Sequence, residues 1–173
     1  MDYASLLAWA RRLELVDSAD GDRLGSMRAT RRKAASEAFD TAIAVREALH
    51  RTLVARIEGR GPAAADLDLL KGVFAESVRE ASLVAGVGNA RWEWGSHSKG
   101  LGQPLWAISH DAVALLLDPV PARPGRCAAS ECGWLFIDAS KNRSRRWCSM
   151  EGCGSRVKMR PHYARRYSGE AAY

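Results

Sequence analysis

The first residues set apolar positions at helical spacing. Leu6, Leu7, Ala10 and Leu13 share one face, and Asp2 stands where an N-cap belongs. "SADGDRLG" (18–25) then breaks the pattern, and its glycines and aspartates predict a loop. From about Ala29 to Ile57 the spacing turns long and regular. Phe39, Ala42, Val45, Leu49, Leu53 and Ile57, at steps of three and four, predict the buried stripe of one long helix. Gly59 and Gly61 end it, and Pro62 can open the next. Leu67, Leu70, Phe74 and Val78 repeat the stripe on that next helix. The period then changes to two. In "SLVAGVGNARWEW" (82–94), Trp92 and Trp94 alternate with Arg91 and Glu93, and Gly88-Asn89 predicts a type II′ hairpin turn. A last helix is expected from about Pro104 to Leu117, with Leu105, Ile108, Ala112 and Leu115 facing inward. "DPVPARPGR" (118–126) holds three prolines and a glycine and marks a boundary. The expected organisation is a helical domain over 1–118, a Pro-rich linker over 119–126 and a separate module over 127–173.

That last module contains all four cysteines of the chain. Cys127-x4-Cys132 and Cys148-x4-Cys153 lie 15 residues apart. Four thiolates can hold Zn²⁺ tetrahedrally, each close pair forming one corner of the site. Two disulfides would need an oxidising compartment. The N-terminus, with an acid at its second position and no basic or strongly apolar leader, predicts no export and a cytoplasmic location. The expected module is a knuckle–hairpin–helix finger. Trp134 to Ile137 would form its first strand, "SKNRS" (140–144) the turn, Arg145 to Trp147 the return strand, and Ser149 the N-cap of a helix. With all four positions taken by thiolates, the metal would be one structural Zn²⁺ that fixes a fold and activates no water. A module of 47 residues with so few apolar side chains needs that support. The fold class is therefore mainly α, a helical domain with one small hairpin plus a four-cysteine zinc finger.

Charge adds direction. Residues 1–126 balance at +1, whereas residues 127–173 carry 9 Lys+Arg against 4 Asp+Glu. Positive charge gathered in the last quarter points to a phosphate-bearing partner. The basic run "MRATRRK" (27–33) opens an amphipathic helix and reads as a solvated face. None of His50, His97, His110 and His162 has a nucleophile or metal-ligand partner at diagnostic spacing, so no catalytic residues and no enzyme are expected. No apolar run approaches membrane-spanning length.

The text from Arg126 to Arg166, "RCAASECGWLFIDASKNRSRRWCSMEGCGSR" followed by "VKMRPHYARR", resembles the CGNR zinc-finger family of bacterial proteins. In that family the finger follows a helical ABATE domain, and residues 1–118 are similar to it in layout and at "PLWAISHDAVALLL". The resemblance implies a bacterial transcription regulator, stress-related, whose finger contacts DNA and whose helical region senses a small-molecule effector. It differs at two points. The family motif ends Cys-Gly-Asn-Arg, and here Ser155 replaces the Asn in Cys153-Gly154-Ser155-Arg156. Family members also start with a short extended Asn-Thr segment, and this chain begins at the first helix.

On this reading Cys127, Cys132, Cys148 and Cys153 hold the metal. Arg143, Arg145, Arg146, Arg156, Lys158, Arg160, Arg165 and Arg166 are the candidate nucleic-acid contacts, because guanidinium groups grip phosphate and guanine edges. A single finger offers few contacts, so a homodimer or a larger complex would be needed for useful affinity. Trp92, Trp94 and Trp106 could line an apolar effector pocket. Two alternatives stay open. One is a protein-interaction module whose basic face meets an acidic partner. The other is RNA binding, with Trp147, Tyr163 and Tyr167 available to stack on bases.

Overall fold

The computed structural model describes residues 1–94, 100–118 and 123–159. His97, residues 119–122 of the expected linker, and His162, Tyr163, Tyr167, Arg160, Arg165 and Arg166 lie outside the described residues. Among the described residues the elements run α1 (Tyr3–Arg12), α2 (Ser18–Thr30), α3 (Arg32–Ile57), α4 (Ala64–Glu80), β1 (Ser82–Ala85), β2 (Ala90–Glu93), α5 (Gln103–Leu117), β3 (Pro124–Arg126) and β4 (Leu135–Ile137). Two compact units result. One holds Met1–Thr52 with Pro62–Asp118, and the other joins the last turns of α3 (Leu53–Gly61) to the C-terminal segment.

The first helix forms as its pattern predicts. The Asp2 carboxylate accepts from the Ser5 amide at 3.0 Å, and Tyr3, Leu7 and Ala10 are buried, while Leu13 lies past the helix and is exposed. The stretch expected to be a loop is instead the front of α2. The Asp17 carboxylate caps it by accepting from the Asp20 amide at 2.7 Å, and Leu24 is fully buried. Each glycine costs such a helix about 1 kcal/mol relative to alanine. At Gly21 a Cβ would lie 2.1 Å from Nε of Arg11, so a side chain there would displace the guanidinium that pairs with Asp22. The cap and the burial of Leu24 outweigh the propensity that suggested a loop. The chain also breaks at Arg31 (φ −120°, ψ 55°), so the long helix starts at Arg32.

The core of the helical unit packs α1, α2 and α3 around Tyr3, Leu7, Leu24, Ala35 and Leu101, which precedes α5, and packs α3, α4 and α5 around Ala42, Val45, Leu70, Val73 and Leu105. On α4 the buried face is Asp66, Leu70, Val73 and Ser77, one position off the expected stripe, and Leu67 and Val78 are exposed. A buried polar network ties α2 to α5. Nε2 of Gln103 donates to the Asp20 carboxylate at 2.8 Å, and the Arg23 guanidinium donates both to Asp20 and to Oε1 of Gln103. The Tyr3 hydroxyl donates to the Leu101 carbonyl at 2.9 Å. In the second unit α3 ends as its glycines predict. Gly59 sits at φ +69°, and the Arg60 amide reaches back to the Ala55 carbonyl at 2.8 Å.

β1 and β2 pair antiparallel, with Ala85 opposite Ala90. The Gly86 amide donates to the Asn89 carbonyl, so the turn centres on Val87-Gly88, one residue earlier than expected, with Gly88 at φ +75°. Trp92 and Trp94 pack on the His110 ring at 5.4 and 5.0 Å, with Phe74 at 4.6 Å. Burial lowers the His110 pKa, as suits a packed histidine, with Asp111 opposing the shift. Nε1 of Trp94 donates to the Ser77 carbonyl. This hairpin therefore closes over α4 and α5 rather than lining a pocket with Trp106.

Two substitutions test the polar core by urea unfolding followed through helical ellipticity. Gln103→Ala strips two partners from the buried Asp20–Arg23 pair and should cost about 2 kcal/mol. Oγ1 of Thr52 is buried with no hydrogen-bond partner among the described residues. Thr52→Val should therefore leave stability unchanged or raise it by up to about 1 kcal/mol.

Candidate metal centre

The finger begins before its first cysteine. β3 and β4 pair antiparallel across the first knuckle, with Gly125 opposite Phe136. The Phe136 ring lies over Gly125, where a Cβ would come within 2.7 Å of it. The knuckle, 127–134, is thus the loop of a hairpin, closed by the Cys127 amide donating to the Trp134 carbonyl at 3.0 Å. The expected return strand, Arg145 to Trp147, does not form. One bond, from the Ala128 amide to the Arg146 carbonyl at 2.9 Å, is the link it makes to the first knuckle.

A turn built on one carboxylate explains the difference. Asp138 accepts from the Ser140 amide at 2.9 Å, the Ser140 hydroxyl at 2.6 Å and the Arg145 amide at 3.2 Å. The Ser140 bonds, side chain first, hold its pKa below the usual carboxylate range. The Arg145 guanidinium then donates to the carbonyls of Ile137, Trp147 and Cys148, and packs on the Phe136 ring with Cζ 4.7 Å from its centroid. It staples the strand to the second knuckle in place of a ladder.

The second knuckle leads into a helix, as expected. Oγ of Ser149 accepts from the Gly152 amide at 3.0 Å. Met150–Gly154 form one wide turn, and helical backbone continues through 155–159. The Ser155 hydroxyl donates to the Met150 carbonyl at 3.1 Å and satisfies one of the carbonyls of that turn. Gly154 is buried there, and a Cβ would lie 2.7 Å from the Met150 sulfur.

These elements bring the four sulfurs together. All four Sγ atoms lie within 4.8 Å of one another, the one such group of potential ligands among the described residues. Cys132 and Cys148 are 3.8 Å apart and Cys148 and Cys153 3.6 Å. All four thiols are free, and Cys127 and Cys153 are buried. Tetrahedral zinc with bonds of about 2.3 Å sets sulfurs about 3.8 Å apart. The four cysteines therefore fit one structural zinc ion, with no position left for water or substrate.

Without a cation these groups cannot all ionise. Burial pushes the Cys127 thiol up, but the Ala129 and Cys148 amides and the neighbouring thiols outweigh it and bring it down to about 7. Burial, reinforced by the thiols of Cys153, Cys132 and Cys127, pushes Cys148 up to about 12. One thiolate forms readily, and its charge opposes the next. A divalent cation reverses that penalty.

The basic residues serve more than one purpose. Nη2 of Arg156 lies 3.5 Å from the Cys153 sulfur, a cation against a ligand. Arg146 and Lys158 sit over the Trp147 ring at 5.3 and 5.6 Å from its centroid, linking the second knuckle to the helix. Arg143 occupies the tip of the turn at φ 54°. Arg143, Arg146, Arg156 and Lys158 are exposed. The structural roles of Asp138, Arg145 and Trp147 were not legible from spacing. An Asp-x-Ser in the turn was the one available signal.

Two outcomes follow. Zinc binding at pH 7 should release several protons. Its apparent affinity should fall as acid protonates the thiols, which titration in buffers of different ionisation enthalpy measures. Arg145→Ala should weaken zinc binding against a competing chelator by about 1–2 kcal/mol, with the four ligands intact.

Comparison with known families agrees with this geometry. The CGNR zinc finger model matches residues 123–166, and the ABATE model, described as "Putative stress-induced transcription regulator", matches residues 1–119. No curated protein and no solved structure matches the chain. With a helical unit matched over more than half of the chain and a four-thiol site inside the matched finger, the protein belongs to the ABATE family and carries a CGNR zinc finger.

Proposed function

We propose that this chain is a transcription regulator that binds duplex DNA through its finger. The observation that carries this reading is the exposure of Arg143, Arg146, Arg156 and Lys158 around a metal-fixed turn and helix. A fixed scaffold holds cations in register with phosphates at low entropic cost. The +5 balance of residues 127–173 supplies the long-range attraction. The family description supports a role in transcription and leaves the DNA contact itself to be tested. Arg145 is committed to backbone carbonyls and contributes to the scaffold rather than the contact. Lys158 and Arg146 both lie over the Trp147 ring, which brings the two charges near one another at the second knuckle.

A second reading rests on a different observation. Trp134 is 72% exposed, and Ile137, Met150 and Met159 are also exposed. Apolar side chains on so small a module also suit a protein partner.

One titration separates the two readings. Fluorescence anisotropy of a labelled mixed-sequence duplex with zinc-loaded chain should show binding that weakens with salt, at a log–log slope of about −0.9 per phosphate contact. The double variant Arg143→Ala/Lys158→Ala should weaken binding and flatten the slope by about two contacts' worth. Trp134→Ala should leave duplex affinity unchanged. Absence of binding at low salt sinks the DNA reading, and a preference for single-stranded RNA replaces it with the stacking alternative.

A further inference from the structure

The helical unit contains a cleft that its own packing does not fill. It lies between the start of α3 and α4, is lined in part by Leu101, Leu105 and Trp106, and has a volume of about 260 Å³. Those three residues are buried and apolar. On α3 the wall is made of small side chains, Ala34, Ala38 and Thr41, at steps of four and three. The volume falls just below the roughly 300–1,000 Å³ of pockets for drug-sized ligands. The space suits a small metabolite.

Two charges of opposite sign line this cleft, Arg31 and Glu76. Neither side chain has a hydrogen-bond or ion-pair partner among the described residues, and they are too far apart to pair with each other. Two nearby cations are matched. Arg28 pairs with Asp2 at 3.7 Å and Lys33 with Glu37 at 3.9 Å. Glycines pack closely on the buried indole of Trp106. A Cβ on Gly100 would lie 3.3 Å from it. A Cβ on Gly102 would lie 3.1 Å from its Nε1 and 3.4 Å from Oε1 of Glu76. Gly102 has φ −76°, a conformation open to any residue, so its backbone does not demand glycine. The close approach of the Trp106 indole and the Glu76 carboxylate leaves little space for a side chain there.

We propose that this cleft binds a small zwitterion, an amino-acid-like molecule with one carboxylate, one ammonium and a short apolar body. The Arg31 guanidinium takes the carboxylate through paired N–H donors, Glu76 takes the ammonium, and the apolar body lies against Ala34 and Ala38. A purely anionic ligand would meet Glu76, and a purely cationic one Arg31. A molecule carrying both charges satisfies both. This deepens the regulator reading by giving its effector site a ligand class, and it rests on that reading only for the regulatory consequence.

The test uses the zinc-loaded full chain and the twenty proteinogenic L-amino acids, at millimolar concentration, by thermal shift followed by calorimetric titration. At least one amino acid should raise the unfolding midpoint. For that amino acid, the analogue lacking the amine and the analogue lacking the carboxylate should each bind at least about tenfold more weakly. Arg31→Ala should show the same loss. Ala34→Leu, which fills the cleft from its exposed rim, should also lower affinity while leaving the circular dichroism spectrum unchanged. The proposal is overturned if no amino acid shifts the midpoint, if the truncated analogues bind as tightly as the parent, or if both variants retain full affinity. Duplex binding is measured separately in the absence of amino acids. Ligand binding without DNA binding would sink the regulator reading and leave the site standing, and the reverse result would do the opposite.

Discussion

Four sulfur atoms held within 4.8 Å of one another govern the C-terminal unit. Burial and mutual repulsion oppose their ionisation, and only a divalent cation makes the arrangement favourable. In small zinc-finger peptides that binding is worth on the order of 10–16 kcal/mol. The apolar side chains of the finger supply no comparable term, since Trp134, Ile137, Met150 and Met159 remain largely exposed. The surrounding contacts set the geometry that the metal then locks. Asp138 bends the chain after β4, Arg145 ties three carbonyls together, Ser149 caps the wide turn and Gly154 lets Met150 close over it.

This changes the meaning of the basic tail. A zinc ion with four thiolates carries a net charge of −2, and the finger must live with it. Arg156 lies against the Cys153 sulfur, and Arg146 and Lys158 lie over the ring of Trp147, the residue before Cys148. Part of the positive charge therefore offsets the metal centre, and only the remainder is left for a phosphate partner. The same cation can do both when its guanidinium has free donors beyond the one aimed at sulfur. The helical unit follows other rules. There the apolar stripes and one buried polar network specify the packing, and small residues leave a cleft beside it.

The broad plan was legible because it depends on period and punctuation. The stripes of α1, α3 and α5, the glycine stop at Gly59, and the cysteine spacing each impose geometry through residues close in sequence. The misses have physical causes. α2 hid behind Gly21 and Gly25, because local propensity argued against a helix that tertiary burial of Leu24 and a close approach of Arg11 require. The strand pairing in the finger was misassigned because β4 finds its partner in Pro124–Arg126, on the far side of the knuckle. Nothing in the spacing favours that partner over the segment after the turn. The structural use of Arg145 was hidden too, because only the positions of three carbonyls reveal it. The packing of Trp92 and Trp94 on His110 joins residues far apart in sequence, which spacing alone does not connect.

The central claim is that zinc at the four cysteines folds the finger and thereby arrays its cations. Amide-resolved NMR of the isotopically labelled full chain, recorded with zinc, after chelation and after zinc is restored, tests it most directly. On chelation the amides of residues 123–159 should collapse into the narrow range of an unfolded chain. They should return with zinc, while the signals of α1, α2 and α5 keep their dispersion throughout. Full dispersion of the finger amides in the metal-free chain would contradict it, because the fold would then stand without the ion.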